Sequence, residues 1–339
     1  MSQSLCLMRL WSCQSIERAT INKVALILSG AKAQLKTILR QQNMTSIKRL
    51  ISMALALGLA LVGLSAAPAY AQCPTLSELS MDQALMWSGK PKVGKTYKAQ
   101  SWRVQDGDSL SLPEGHRLRL GQINTTEMAN KNRPAEAFAQ QGKDQLTQQL
   151  RQQDAIFLKL LPAIKDHYGR WLVKLYDGTG VNVEASLVAQ GLAYVISMDG
   201  QGAARCLWQQ EKVARSQGLG LWQAAISQVR KASLLTATQG GFMRLKGLVT
   251  DISQSQRHWY IGLEGHVAVK IAKLRMAQAP LRIKSQTQLE RWIGQTITAR
   301  GWLAWRKLNK KQRKKGFKAG VMTLNHVHML ERAPGLSSD

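Results

Sequence analysis

The run Leu118-Arg119-Leu120-Gly121-Gln122-Ile123-Asn124-Thr125-Thr126-Glu127 is followed about forty residues later by Asp166-His167-Tyr168-Gly169-Arg170. Together they set one carboxylate and two arginines in positions suited to cleaving a phosphodiester. That reaction needs a water deprotonated or oriented, charge on the equatorial oxygens neutralised, and the leaving oxygen stabilised. A glutamate and two guanidiniums supply much of that set. Arginine suits the task better than lysine because its planar fork binds two phosphate oxygens at once. Asp106-Gly107-Asp108, just upstream, adds a carboxylate on a turn. Each of these residues has an ordinary structural reading by itself, since Asp-Gly is common turn chemistry. Their joint occurrence, in order, carries the chemical reading.

Something must hold these residues together. Lys98 to Val104 and Leu110 to Leu112 read as short strands around the Asp106-Gly107-Asp108 turn, and Pro113-Glu114-Gly115 turns the chain into His116 to Leu120. Alternation along that last strand puts Leu118 and Leu120 on one face and Arg117 and Arg119 on the other, away from the buried leucines. Pro134-Ala-Glu136 opens a helix in which Phe138, Gly142, Leu146 and Leu150 recur at three- and four-residue steps, ending near Arg151. Ala155 to Leu160 and Trp171 to Tyr176 read as strands, with helices at Val181–Gln190 and Gly202–Gln217. A helix set between the third and fourth strands fits a small closed barrel of the oligonucleotide-binding type.

Taken together, the Asp-Gly-Asp turn, Arg-Leu-x-x-Ile-x-Thr-x-Glu, the Pro-Ala-Glu helix start, Asp-x-Tyr-Gly-Arg, Gln-Gly-Leu-Ala and the Gly-Leu-Trp ending resemble the thermonuclease, or staphylococcal nuclease-like, family over about Val104 to Trp222. The resemblance implies cleavage of DNA and RNA phosphodiesters with one calcium ion. It implies Asp108, Asn124 and the Thr125 carbonyl as metal ligands, Glu127 as general base, Arg119 and Arg170 as the phosphate-gripping pair, and Tyr168 lining the nucleotide site. Asn124 departs from the family by offering an amide oxygen without charge, which implies weaker metal binding. Thr126 stands where the family usually has proline, which would loosen the loop that presents Glu127.

The chain has 339 residues and a formal charge of +27, a size that allows roughly two domains. Met44 to Arg49, the apolar run Leu50 to Ser65 and Ala66-Ala-Pro-Ala-Tyr-Ala71 have the basic, hydrophobic and small-residue parts of a signal peptide, cleaved after Ala71. Residues 1–43 would then be an over-extended start, or else a genuine cytoplasmic extension before an anchor. Export points to a periplasmic or secreted protein with no stable membrane insertion. The remaining chain keeps 39 cationic and 19 anionic residues, a net +20. Of four cysteines only Cys73 and Cys206 survive cleavage, as a disulfide or as two buried thiols.

Beyond a lead-in at 72–96 and the nuclease-like domain at 97–225, a polar linker at 226–240 leads to a second β pattern at 241–333, followed by a short tail, 334–339. Its strands are expected at Phe242–Ser253, His258–Leu263, His266–Ile271, Thr296–Leu303 and Gly320–Leu330, with a helix at Gln286–Ile293. The order again suggests an oligonucleotide-binding barrel. The segment Arg306 to Lys318 holds Lys310, Lys311, Arg313, Lys314 and Lys315, with Trp259, Tyr260, Trp302 and Trp305 near in sequence. Cationic loops beside aromatic platforms suit single-stranded nucleic acid, although a solvated loop over core tryptophans reads equally well. His326 and His328 lack a third metal ligand and read as structural. The expectation is thus a mainly β, α+β chain with two tandem barrels, acting on DNA, RNA or both as an exported metal-dependent nuclease. The competing expectation is a non-catalytic nucleic-acid or polyanion binder of the envelope.

Overall fold

The computed structural model describes residues 73–334, apart from 89, 132, 224–227, 279 and 280. The segments expected as an over-extended start and as a signal peptide, and nearly all of the tail, lie outside the described residues. After a short helix α1, Glu78–Asp82, and strand β1, Leu85–Met86, the first barrel is built from β2, Thr96–Ala99; β3, Arg103–Asp106; β4, Ser109–Ser111; β5, Arg117–Leu120; β7, Ile156–Lys165; and β8, Trp171–Tyr176. A two-residue strand β6, Ile123–Asn124, pairs elsewhere, with β9, Tyr194–Val195. The sheet order is β1-β2-β7-β8-β5-β4-β3. Because β2 and β3 are consecutive in the chain yet lie at opposite sides of this order, they act as one bent first strand that curls the sheet on itself. The fold is the oligonucleotide-binding type.

Helix α2, Ala139–Leu150, buries Ala139, Gly142, Leu146 and Leu150 at helical spacing against the sheet. It starts later than its Pro134-Ala-Glu136 sequence suggests. Phe138 takes a left-handed backbone, φ +63°, at its N-cap, so the preceding residues belong to the loop. Helices α3, Val183–Ala189, and α4, Arg205–Ser216, close the other side. Asn182 caps α3 by accepting from the Ala185 N–H. A disulfide joins Cys73 to Cys206 on α4, settling the choice left open by the sequence.

The second barrel is closed by five strands: β11, Gly241–Gln254; β12, His258–Leu263; β13, Val267–Ala272; β14, Thr296–Trp305; and β15, Gly320–Leu324. Their order, β11-β12-β13-β15-β14 with β14 returning to β11, includes the parallel β13–β15 pair. Helices α5, Lys273–Met276, and α6, Gln286–Glu290, fill the connection between the third and fourth strands. The last stretch expected as one strand, Gly320 to Leu330, breaks into β15, a turn and β16, Leu330–Arg332.

Part of the expected linker at 226–240 belongs to the second barrel. Arg230–Lys231 forms β10 on β11, while Ala232 and Leu235 are buried in the second core. Ile196, just after β9 of the first barrel, belongs to that same core. Between the barrels Arg300 of β14 pairs with Glu211 of α4 through both carboxylate oxygens, and its Nε lies 2.8 Å from Glu331. Arg244 grips Glu331 with Nε and Nη2, and Arg215 lies 3.5 Å from it.

Candidate active site

Strand β5 delivers Arg119 to the centre of the candidate site. Alternation sets Arg119 on the face away from the leucines, and it is nonetheless buried, 3% exposed. The turn before β4 and the loop after β6 cover that side of the strand. Its Nη1 donates to the carbonyls of Leu120 and Ile123, and its Nη2 donates to Asn124 Oδ1 at 2.8 Å and approaches Asp108 Oδ2 at 2.8 Å. Asp108 Oδ2 also accepts the Thr125 N–H at 2.8 Å, and Asn124 Nδ2 donates to the Thr125 carbonyl. Burial pushes the Asp108 carboxyl up, to about 7, against the pull of the Arg119 guanidinium. Asp106 nearby adds to the rise. Gly107 is required here: a Cβ on it would meet Thr125 Cγ2 at 2.8 Å.

Arg170 joins this cluster through a residue the sequence reading passed over. Ser109 Oγ donates to Asp108 Oδ1 and accepts from Arg170 Nη1 at 3.2 Å. A hydroxyl in the Asp-Gly-Asp-Ser turn was the available signal. The hairpin that presents Arg170 is organised by Asp166, whose carboxylate accepts from the N–H groups of Tyr168 and Arg170 and from Arg170 Nε. Burial alone would raise the Asp166 carboxyl, but these Arg170 donors hold it below the usual carboxylate range. Gly169 supplies the φ of +76° that lets the turn close. Tyr168 is 62% exposed at its tip, and the Arg170 guanidinium sits 5.5 Å from its ring.

Glu127 lies two residues beyond Thr125 on the loop. Its half-exposed carboxylate is 3.9 Å from Arg133, and its N–H donates to Glu136 Oε2. The Thr126 hydroxyl donates to the Ala137 carbonyl, and Glu136 N–H returns a bond to the Glu127 carbonyl. Thr126 thus ties the loop to Ala137 at the position where the family usually has proline. Arg133, and Glu136 of the Pro-Ala-Glu stretch, are the loop's charged partners.

Residues 117–224 match the family model described as staphylococcal nuclease homologue. This chain carries a staphylococcal nuclease-like domain. Arg119, Asn124, Thr125, Glu127, Tyr168 and Arg170 fall inside the matched stretch; Asp108 precedes it and is joined to the nuclease-like domain by its bonds to Arg119, Thr125 and Ser109. Proteins of this family are generally nucleases, and typically calcium-dependent. No curated protein matches the chain.

The nuclease-like domain's oxygen donors can be tested against calcium. Asp108, the Asn124 amide oxygen and the Thr125 carbonyl are the hard ligands that calcium takes, and the structure gathers them by direct hydrogen bonds. They fit the ion in kind. They are short of charge, because Asp108 is the one carboxylate among them and already faces a guanidinium. Among the described residues no group of three or more His, Cys, Asp or Glu side chains could hold a metal.

The cationic segment of the second barrel is also reorganised. Lys310–Lys314 forms a helix, α7, capped by Asn309 and containing Lys310, Lys311, Arg313 and Lys314. Lys315 follows it and lines a cavity of about 190 Å³ with Tyr260, Arg306, Phe317, Lys318 and Asp251. Trp259 is buried and Trp305 donates to the Gln239 carbonyl, so those two tryptophans serve structure. Tyr260 and Phe317 are the rings that face the cations.

Proposed function

We propose that this protein is an exported, metal-dependent nuclease that hydrolyses phosphodiester bonds of DNA, RNA or both. The observation that carries this reading is the single hydrogen-bonded cluster of Asp108, Arg119, Asn124 and Thr125, extended to Arg170 through Ser109. Asp108, Asn124 and Thr125 would hold one calcium ion, which supplies Lewis-acid stabilisation of charge on the phosphate when bound. Glu127, with solvent access on its stapled loop, takes the proton of the attacking water. Arg170, anchored at Nε by Asp166, directs the rest of its fork to the phosphate, and Tyr168 stacks beside it. Arg119, whose N–H groups already meet two carbonyls, an amide oxygen and a carboxylate, acts chiefly by positioning Asp108 and Asn124.

The cavity of Tyr260, Phe317 and Lys315 supports a nucleic-acid strand held by the second barrel, charge tracking the backbone and rings meeting bases. Export to an oxidising compartment, periplasmic or secreted, agrees with the Cys73–Cys206 disulfide. Mass measurement of the exported chain should find Gln72 at its N-terminus. The site is tested by digesting plasmid DNA with and without calcium and a chelator, using the wild type and Glu127→Gln. Loss of about 100-fold or more in Glu127→Gln is expected for a general base. Undiminished digestion would remove Glu127 from the mechanism.

One observation favours a second reading. The only carboxylate of the proposed metal set is already paired with Arg119, as suits a non-catalytic nucleic-acid or polyanion binder that keeps the fold. Salt-sensitive binding with no product at any divalent metal would decide for it.

A further inference from the structure

A cleft of about 270 Å³ opens beside the cluster, and its walls come from both barrels. The nuclease-like domain contributes Asn124, Thr126 and Glu136. The second barrel contributes Phe242 and Arg244 at the start of β11, and the segment that reads as a linker contributes Arg230. We infer that this cleft is a subsite for a nucleotide beyond the two that flank the scissile phosphate, so that the second barrel extends the substrate site of the first. The inference rests on the nuclease reading for its placement and on the cleft's own chemistry for its ligand.

That chemistry is aromatic and cationic. Phe242 lies 5.4 Å from Tyr194 and 5.0 Å from Trp302, ring centre to ring centre, which fixes its ring against the cleft. A base has a π-face that such a ring can meet whatever the sequence. The cleft wall at Arg244 belongs to a network in which three guanidiniums, Arg215, Arg244 and Arg300, face two carboxylates, Glu211 and Glu331. All three guanidiniums lie 5.0–5.6 Å from the Trp222 ring. The network leaves one positive charge in excess, and exposed Arg230 adds another at the rim. Among the described residues the one acid lining the cleft, Glu136, is paired with Arg133 at 3.4 Å. An aromatic wall with surplus positive charge next to a phosphodiester-cleaving cluster suits a nucleotide of the same strand. The buried pairs make the two walls a rigid unit, so the subsite is present before substrate arrives.

The test compares the full exported chain with Arg230→Glu, and with Lys284→Glu as an exposed cation outside the cleft. Fluorescence anisotropy would follow a labelled single-stranded octanucleotide in chelator, and cleavage would be timed on dinucleotide and octanucleotide substrates with calcium. The subsite predicts that Arg230→Glu weakens octanucleotide binding and kcat/KM about tenfold, leaves the dinucleotide unchanged, and exceeds Lys284→Glu. Phe242→Leu, which keeps an apolar side chain, should give the same length-selective loss without the change of charge. If no variant cleaves but Arg230→Glu still weakens binding selectively, the nuclease reading falls and the subsite stands. Equal effects of Arg230→Glu and Lys284→Glu, or no effect of Arg230→Glu at either length, would overturn it.

Discussion

Asn124 is the residue on which the proposed chemistry turns. It hydrogen-bonds both Arg119 and the Thr125 carbonyl, so its two polar ends already knit the cluster while contributing no charge. Replacing it with aspartate adds a second carboxylate among the metal donors and a better partner for Arg119. Asn124→Asp should tighten calcium binding by about tenfold or more, since about 1.4 kcal/mol of added attraction is already a factor of ten. Isothermal titration would measure it, and an unchanged affinity would take position 124 out of the metal site. The sequence made this position legible because its spacing to Arg119 and Glu127 is local. It could not make Ser109 legible as the link to Arg170, because a serine after an Asp-Gly-Asp turn has many ordinary uses. Nor could it show that Arg119 is buried: alternation reports which face of a strand a residue occupies, not whether another loop covers that face.

At the scale of elements, strands and their order were readable wherever apolar periodicity ran unbroken, as in Trp171–Tyr176 and His258–Leu263. The boundaries that moved did so for local backbone reasons, such as the left-handed Phe138 that delays α2 and the turn that splits the last strand of the second barrel. Helix α3 carries a further unread feature. Glu184, in its first turn, is fully buried, with Oε1 accepting the Gln122 N–H at 3.3 Å. Burial pushes its carboxyl up to about 8, although Lys174 and the Gln122 donor pull the other way. Its folded pKa stands above its unfolded value, so its contribution to stability is complete below about 4.5 and is lost as pH rises through about 8. Wild-type Tm should therefore fall between pH 5 and pH 8.5, and Glu184→Gln should fall less over the same range. Parallel Tm profiles for the two proteins would show that Glu184 does not titrate in that window.

For the whole molecule, the decisive contacts lie between the barrels, where no sequence motif points. Glu331 is held well below the ordinary carboxylate range, at about 2: its burial raises it, but Arg300 and Arg244 lower it further. A depressed folded pKa gives stability that is present above about 4.5 and lost as pH falls through about 2. Urea midpoints of the wild type should drop from pH 6 to pH 3. Glu331→Gln, which takes one countercharge away from buried Arg244 and Arg300, should cost about 3–5 kcal/mol at pH 6 and respond less to acid. An unaltered midpoint at pH 6 would mean that the network does not hold the barrels together.

Ile196 gives this union a consequence for how the chain can be divided. It follows directly on β9 of the nuclease-like domain, yet it is fully buried in the core of the second barrel. Cut free near Trp222, the first barrel would present Ile196, Tyr194 and the carboxylate of Glu211 to water, surfaces shaped for burial. The boundary visible in the sequence is thus not a boundary of folding. A fragment drawn along it inherits the residues of the candidate site but not an outside of its own.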